Sequence, residues 1–201
     1  MKKIVFLTST RGTNIKAILK RILDGHIKAD PIAIVTDKPE AKALEVAKNF
    51  QVPSIVIPYR NYKKTPLDFH DKVHKTLVDL KPDLIVAAGY LRILQAPTVK
   101  KFKNRIVNIH PSLLPAFTGL HAPEQAMAYG VRFTGCTTHF VDEGVDTGAI
   151  ILQACVAIKP GMSEMDLQRE IQKEEHRIFP LTVQYFCEGR IKIIGRKTII
   201  V

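Results

Sequence analysis

Lys3-Ile4-Val5-Phe6-Leu7-Thr8 runs directly into Ser9-Thr10-Arg11-Gly12-Thr13-Asn14, and then into a segment whose apolar residues are Ile15, Ile18, Leu19, Ile22 and Leu23. The first stretch is a short continuous apolar run, suited to a strand buried on both faces. The second is a polar turn. The third has the spacing of a helix with one apolar face, and Gly25 stands where such a helix ends. A buried strand, a polar turn and an amphipathic helix in succession open a parallel α/β sheet.

The same alternation continues outward. Ile32–Val35 predicts a second strand, and Pro39–Phe50 a helix with proline in its first turn. Ser54–Ile57 predicts a third strand. Phe69–Leu80 predicts a helix with Phe69, Val73, Leu77 and Leu80 on one face, and Leu84–Ala88 a fourth strand that is wholly apolar. The second half reads differently. Ile106–Ile109 is a strand leading into a proline-bounded loop, His110–Gly119. Cys136–Val141 and Ala149–Ile158 read as two longer strands joined by an acidic turn, an antiparallel hairpin-like extension. Asp166–Phe186 is a long amphipathic helix that Pro180 is expected to interrupt, and Ile191–Ile194 and Thr198–Val201 are strand-like. The expected architecture is α/β: a Rossmann-like, mainly parallel twisted sheet flanked by helices, with an antiparallel C-terminal extension.

Composition sets bounds. The chain has 201 residues, 46% hydrophobic, enough for one domain with a sizeable core. No apolar run reaches the roughly 18 residues that span a bilayer, and the apolar N-terminal run is too short for a signal peptide. A cytoplasmic protein is expected. The three cysteines, Cys136, Cys155 and Cys187, form no CxxC pair and read as small side chains in a reducing compartment. The formal charge of +11 favours anionic partners. The basic residues are spread over helix-like segments rather than one dense tract, so a solvated basic surface is expected rather than a nucleic-acid footprint, with a field that still favours a polyanionic substrate.

In open α/β sheets ligands bind beyond the carboxyl ends of the strands. Three loops there carry candidate chemistry. Arg11-Gly12-Thr13-Asn14 opens the first helix, where a glycine allows close approach and free N–H groups favour an anion; it also reads as a simple helix cap. In Asn108-Ile109-His110-Pro111-Ser112-Leu113-Leu114-Pro115, Asn108 and His110 project from the same face of a strand. An amide donates to a developing oxyanion, and an imidazolium supplies charge or a proton; a histidine merely capping a strand is the alternative. Asp142-Glu143-Gly144-Val145-Asp146-Thr147-Gly148 is an acidic turn whose carboxylate can hold a histidine charged, or simply a polar turn. It lacks calcium-loop spacing, and no histidine cluster has zinc spacing. His26, His70, His74, His121, His139 and His176 are assigned no catalytic part.

Taken together these segments resemble the folate-dependent formyltransferases. The matching pieces are Gly12-Thr13-Asn14, Gly89-Tyr90-Leu91-Arg92-Ile93-Leu94, the Asn108–Pro115 run, Gly119-Leu120-His121, Thr138-His139-Phe140-Val141, Asp146-Thr147-Gly148 and Glu175-His176. They occur in family order over nearly the whole chain. The resemblance implies a single formyltransferase domain over 1–201, with a nucleotide-binding half of about 1–100 and a folate and catalytic half of about 101–201. It implies transfer of formyl from 10-formyltetrahydrofolate to an amine, that of glycinamide ribonucleotide in purine synthesis, without a metal and by a monomer or homodimer. An amino-sugar nucleotide acceptor, or a basic nucleotide- or RNA-binding module, are the competing readings. Carried onto this chain, it implies that Gly12, Thr13 and Asn14 hold the phosphate, with Arg11 beside them, and that Glu175 meets the ribose. Leu91, Arg92, Ile93 and Leu94 line the folate pocket with Val141, Asp142, Glu143, Gly144 and Val145. Asn108, His110 and Asp146 form the catalytic set. Thr10 stands where the family has a glycine, and Arg11 is an addition.

Overall fold

The computed structural model describes all 201 residues. Strand β1 (Lys2–Thr8) is the centre of the first compact unit, Met1–Val107. Its Ile4, Val5, Phe6 and Leu7 are wholly buried, each such side chain contributing about 1.5–3 kcal/mol. β1 pairs in parallel with β2 (Ala29–Thr36) on one side and β4 (Leu84–Ala87) on the other, and β2 pairs in parallel with β3 (Ser54–Val56). Helix α1 (Thr13–Leu23) buries Ile15, Ile18 and Leu19. It closes at Gly25, whose φ is +76°, with Gly25 N–H donating to Ile22 O and His26 N–H to Arg21 O. Helix α3 (Pro66–Leu80) buries Phe69, Val73 and Leu77.

One expectation needs correction in this unit, and one helix is an addition. Helix α2 covers only Ala43–Asn49, not Pro39–Phe50. The backbone turns at Lys38–Ala41, and the Ala43 N–H goes to Thr10 O at 3.4 Å rather than into a helix. A tertiary bond thus sets where α2 begins. Helix α4 (Ala96–Lys101) has only six residues, too short for its periodicity to register.

The second unit is Asn108–Val201. It takes the end of β5 (Ile106–His110), then α5 (Ala122–Tyr129), which sequence periodicity also missed, and the antiparallel pair β6 (Phe133–Phe140) and β7 (Ile150–Ala157). Helix α6 (Glu164–Cys187) is capped by Ser163 Oγ, which accepts from Asp166 N–H at 3.2 Å. It packs on β6 and β7 through Leu167, Ile171, Ile178, Phe179 and Val183. Pro180 does not interrupt α6. The helix runs through it with Pro180 buried, and Thr182 Oγ donates to Ile178 O at 3.1 Å beside the gap in the ladder. Strands β8 (Ile191–Ile194) and β9 (Lys197–Ile200) form a separate antiparallel pair. The seven longer-range strands form one mostly parallel sheet in the order β3-β2-β1-β4-β5-β6-β7. No helix is long and apolar enough to cross a membrane.

Candidate active site

In the first unit the loops at the carboxyl ends of β1 and β4 are stitched together. Ser9 N–H donates to Gly89 O at 2.9 Å, and Leu91 N–H to Ser9 Oγ at 3.0 Å. Thr10 N–H donates to Thr8 Oγ at 3.2 Å. Gly89 has φ +68°, and a Cβ there would lie 2.5 Å from Thr10 Oγ, so Thr10 occupies the space beside this glycine. Gly12 is itself the N-cap of α1, with φ +73°, and no side chain caps the helix. Neither Thr13 nor Asn14 serves as that cap. A Cβ on Gly12 would meet Ala43 Cβ at 2.9 Å, so α2 packs directly against this turn. The turn exposes Arg11, and the first turn of α1 carries no acidic residue, which leaves its positive dipole end available to an anion.

The Leu91–Leu94 segment has no regular secondary structure, and Leu91 and Ile93 are exposed. Arg92 turns inward, its Nε 2.8 Å from Asp37 Oδ2.

In the second unit four side chains converge. Asn108 and His110 come from β5, His139 from β6, and Asp146 from the loop after β6. Asp146 Oδ2 lies 3.3 Å from His110 Nδ1, and its Oδ1 lies 3.6 Å from His139 Nε2. Oδ2 also accepts the Gly119 N–H at 2.8 Å, so one carboxylate anchors the end of the His110–Gly119 loop. His110 Nε2 lies 2.7 Å from Phe117 O. Both ring nitrogens of His110 therefore face acceptors, and only the doubly protonated ring donates to both.

The structure adds His139 to the contacts of Asn108 and Asp146. His139 is 2% exposed, and burial pushes its pKa down against the opposing pull of Phe140 O and Asp146. The hydrogen-bond network assigns a neutral ring: Nδ1–H donates to Phe140 O at 2.9 Å, leaving Nε2 to accept from Asn108 Nδ2 at 3.2 Å. His139 thereby fixes which way the Asn108 amide points. The second amide N–H of Asn108 is left to donate elsewhere. The alternation that pairs Asn108 with His110 gave no hint of this, because His139 comes from a different strand.

The loop around the cluster is built locally. Asp142 Oδ1 accepts from Thr147 Oγ at 2.6 Å and from Gly144 N–H at 3.1 Å, so Asp142 shapes its own turn. Glu143 and Val145 are exposed. Thr137 Oγ donates to Ser112 O at 2.7 Å and accepts from Leu114 N–H at 3.0 Å, which seats the proline-bounded loop on β6. Glu175 lies on α6 near Cys136, whose thiol is pushed up to about 12 by burial first and by this carboxylate second. A hollow lined by Leu113, Ala116, Phe117, Tyr129, Val131 and Phe133 lies outside this polar cluster, and none of the four converging side chains lines it.

A half-buried carboxylate that pairs with one histidine and faces a second, beside an amide held by that second ring, is an arrangement for handling charge on a carbonyl oxygen and for moving a proton. The chain belongs to the formyl transferase family, whose sequence model matches residues 2–183. Among its relatives is the phosphoribosylglycinamide formyltransferase of Haemophilus influenzae, 39% identical over 96% of this chain and 91% of that one. The trifunctional purine biosynthetic protein adenosine-3 of Drosophila melanogaster is 40% identical over 94% of this chain, which spans only 14% of that protein's length. The crystal structure of glycinamide ribonucleotide transformylase 1 from Symbiobacterium toebii superposes with a TM-score of 0.96, at 42% identity, over 100% of this chain and 94% of that one.

Proposed function

We propose that this chain transfers the formyl group of 10-formyltetrahydrofolate to the amine of glycinamide ribonucleotide. The observation that carries the reading is the Asn108–His139–Asp146–His110 network in a chain that aligns almost end to end with a phosphoribosylglycinamide formyltransferase. The relatives' acceptor favours this over an amino-sugar nucleotide.

The acceptor's neutral amine attacks the formyl carbon, and the carbonyl oxygen becomes an oxyanion. The free N–H of Asn108 donates to it. His110, protonated and paired with Asp146, supplies positive charge, and Asp146 assists the proton's passage from the attacking nitrogen to the departing folate nitrogen. Collapse of the intermediate breaks the bond from carbon to that nitrogen and releases the free folate. No metal enters these steps. In the first unit Arg11, Gly12, Thr13 and Asn14 receive the phosphate and Leu91–Leu94 receive the folate. In the second, Glu175 meets the ribose and the Val141–Val145 loop also contacts the folate. We place this chemistry in the cytoplasm, on small-molecule substrates, in a monomer or homodimer, with one formyltransferase domain over 1–201. Incubating the purified chain with both substrates tests the reading: formyl glycinamide ribonucleotide and free tetrahydrofolate are expected in equal amounts. Absence of that product under conditions in which a known relative forms it would refute the proposal.

A further inference from the structure

Asp37 stands directly after β2 and is used by none of the steps above. Its side chain is 0% exposed. One carboxylate oxygen accepts from Arg92 Nε at 2.8 Å, and the other, Oδ1, has no hydrogen-bond partner. The Arg92 guanidinium carbon lies 3.8 Å from the centre of the Tyr59 ring, and Tyr59 packs edge-on against the buried Phe69 with ring centres 5.0 Å apart. The cation is thus clamped between a buried carboxylate and a braced aromatic face. An asparagine would fill the same space without burying a charge. A fold that retains a carboxylate with one oxygen unsatisfied accepts a cost that packing alone does not explain.

The clamp acts on the segment that follows β4. Leu91–Leu94 has no ladder or helix to hold its shape, and it is tied at two points: Leu91 N–H to Ser9 Oγ, and the Arg92 side chain to Asp37. Between and beyond these ties Leu91 and Ile93 stand 49% and 62% exposed. We propose that Asp37 is a positioning residue for the formyl donor: by holding Arg92 it sets the shape of the exposed Leu91–Leu94 strip that the donor reads. This rests on the reading of that strip as donor-binding. Asp37 itself touches no substrate.

The test is steady-state kinetics on the full chain, varying each substrate in turn, for Asp37→Asn, Arg92→Ala, the double variant and Ile93→Asp. Asp37→Asn is expected to raise the donor KM about tenfold, with kcat and the acceptor KM within about twofold of wild type. Arg92→Ala should give a similar rise, and Asp37→Asn should add nothing to it, since the two act as one unit. Thermal melting supplies a readout of opposite sign. Arg92→Ala strands a buried carboxylate and lowers the Tm, and adding Asp37→Asn raises it again. If Arg92→Ala alone does not fold, the double variant supplies the kinetic comparison. An unchanged donor KM in Asp37→Asn, a joint change of kcat and both KM values, or a further rise on top of Arg92→Ala would each overturn the proposal. Ile93→Asp separates the two levels. If it raises the donor KM while Asp37→Asn does not, the positioning role fails and the strip reading stands. If it leaves the donor KM unchanged, the strip reading itself fails.

Discussion

Gly148→Ala would transmit a single methyl group into the catalytic network. Gly148 is not in the left-handed region, so the substitution carries no left-handed backbone penalty. The steric conflict is direct: the added Cβ would lie 1.8 Å from Phe140 O and 2.8 Å from Phe140 C. The carbonyl must retreat by roughly 1.5 Å to reach ordinary contact. That oxygen accepts the His139 Nδ1–H at 2.9 Å, and His139 in turn accepts from the Asn108 amide. Overpacking a tight interior costs about 1–3 kcal/mol, and loss of the buried hydrogen bond about 1 kcal/mol more. The sum, about 2–4 kcal/mol, lowers the Tm by about 5–15 °C in a chain of this size. Gly130→Ala is the control: its φ is +81° with nothing within 4 Å, so its cost is conformational only, about 1–2 kcal/mol, and remote from the network. Calorimetric melting of both variants, with turnover measured on each, separates the two effects. Gly148→Ala should lose both stability and kcat, and Gly130→Ala stability alone. A Gly148→Ala protein that melts within about 2 °C of wild type and turns over normally would refute the claim that this contact holds His139 in place.

Asp146→Asn and His110→Ala should each lower turnover by about 10²–10³ with a smaller effect on acceptor binding, and wild-type rates in either would remove that residue from the catalytic set. Arg11→Ala should raise the acceptor KM while kcat stays near wild type; kinetics with varied glycinamide ribonucleotide decide this, and an unchanged KM ends the phosphate role. Burial lowers the pKa values of His70, His139 and His176 below 6.5. Their stabilisation is therefore complete above pH 6.5 and is lost as pH falls towards the depressed folded values, because the unfolded chain takes up protons first. The Tm should decline on that acid side, and less steeply in His176→Gln; an identical slope in the variant would show that His176 contributes none of it.

Much of the architecture was legible because its determinants are local. The apolar run of β1, the polar turn and the periodicity of α1 lie in consecutive residues, and Gly25 marks the end of the helix by a conformation few other residues adopt. The hairpin of β6 and β7 was readable from two strands flanking an acidic turn. The start of α2 was not, because the N–H of Ala43 is claimed by Thr10, far away in the chain. Nor was the continuity of α6 through Pro180, because the packing of Phe179 and Val183 outweighs one missing ladder bond.

The residue types of the site, and the strand or loop that carries each, were present in the sequence itself: an amide and an imidazole two apart, and a carboxylate in a later turn. What they touch was decided only by tertiary structure. His139 holds Asn108 because β6 lies beside β5, Phe117 O occupies one edge of His110 because its loop folds back, and Asp37 meets Arg92 because β2 and β4 flank the same strand. Periodicity reports which face of one element a side chain occupies. Partners across elements depend on sheet order and loop closure, which no local pattern encodes.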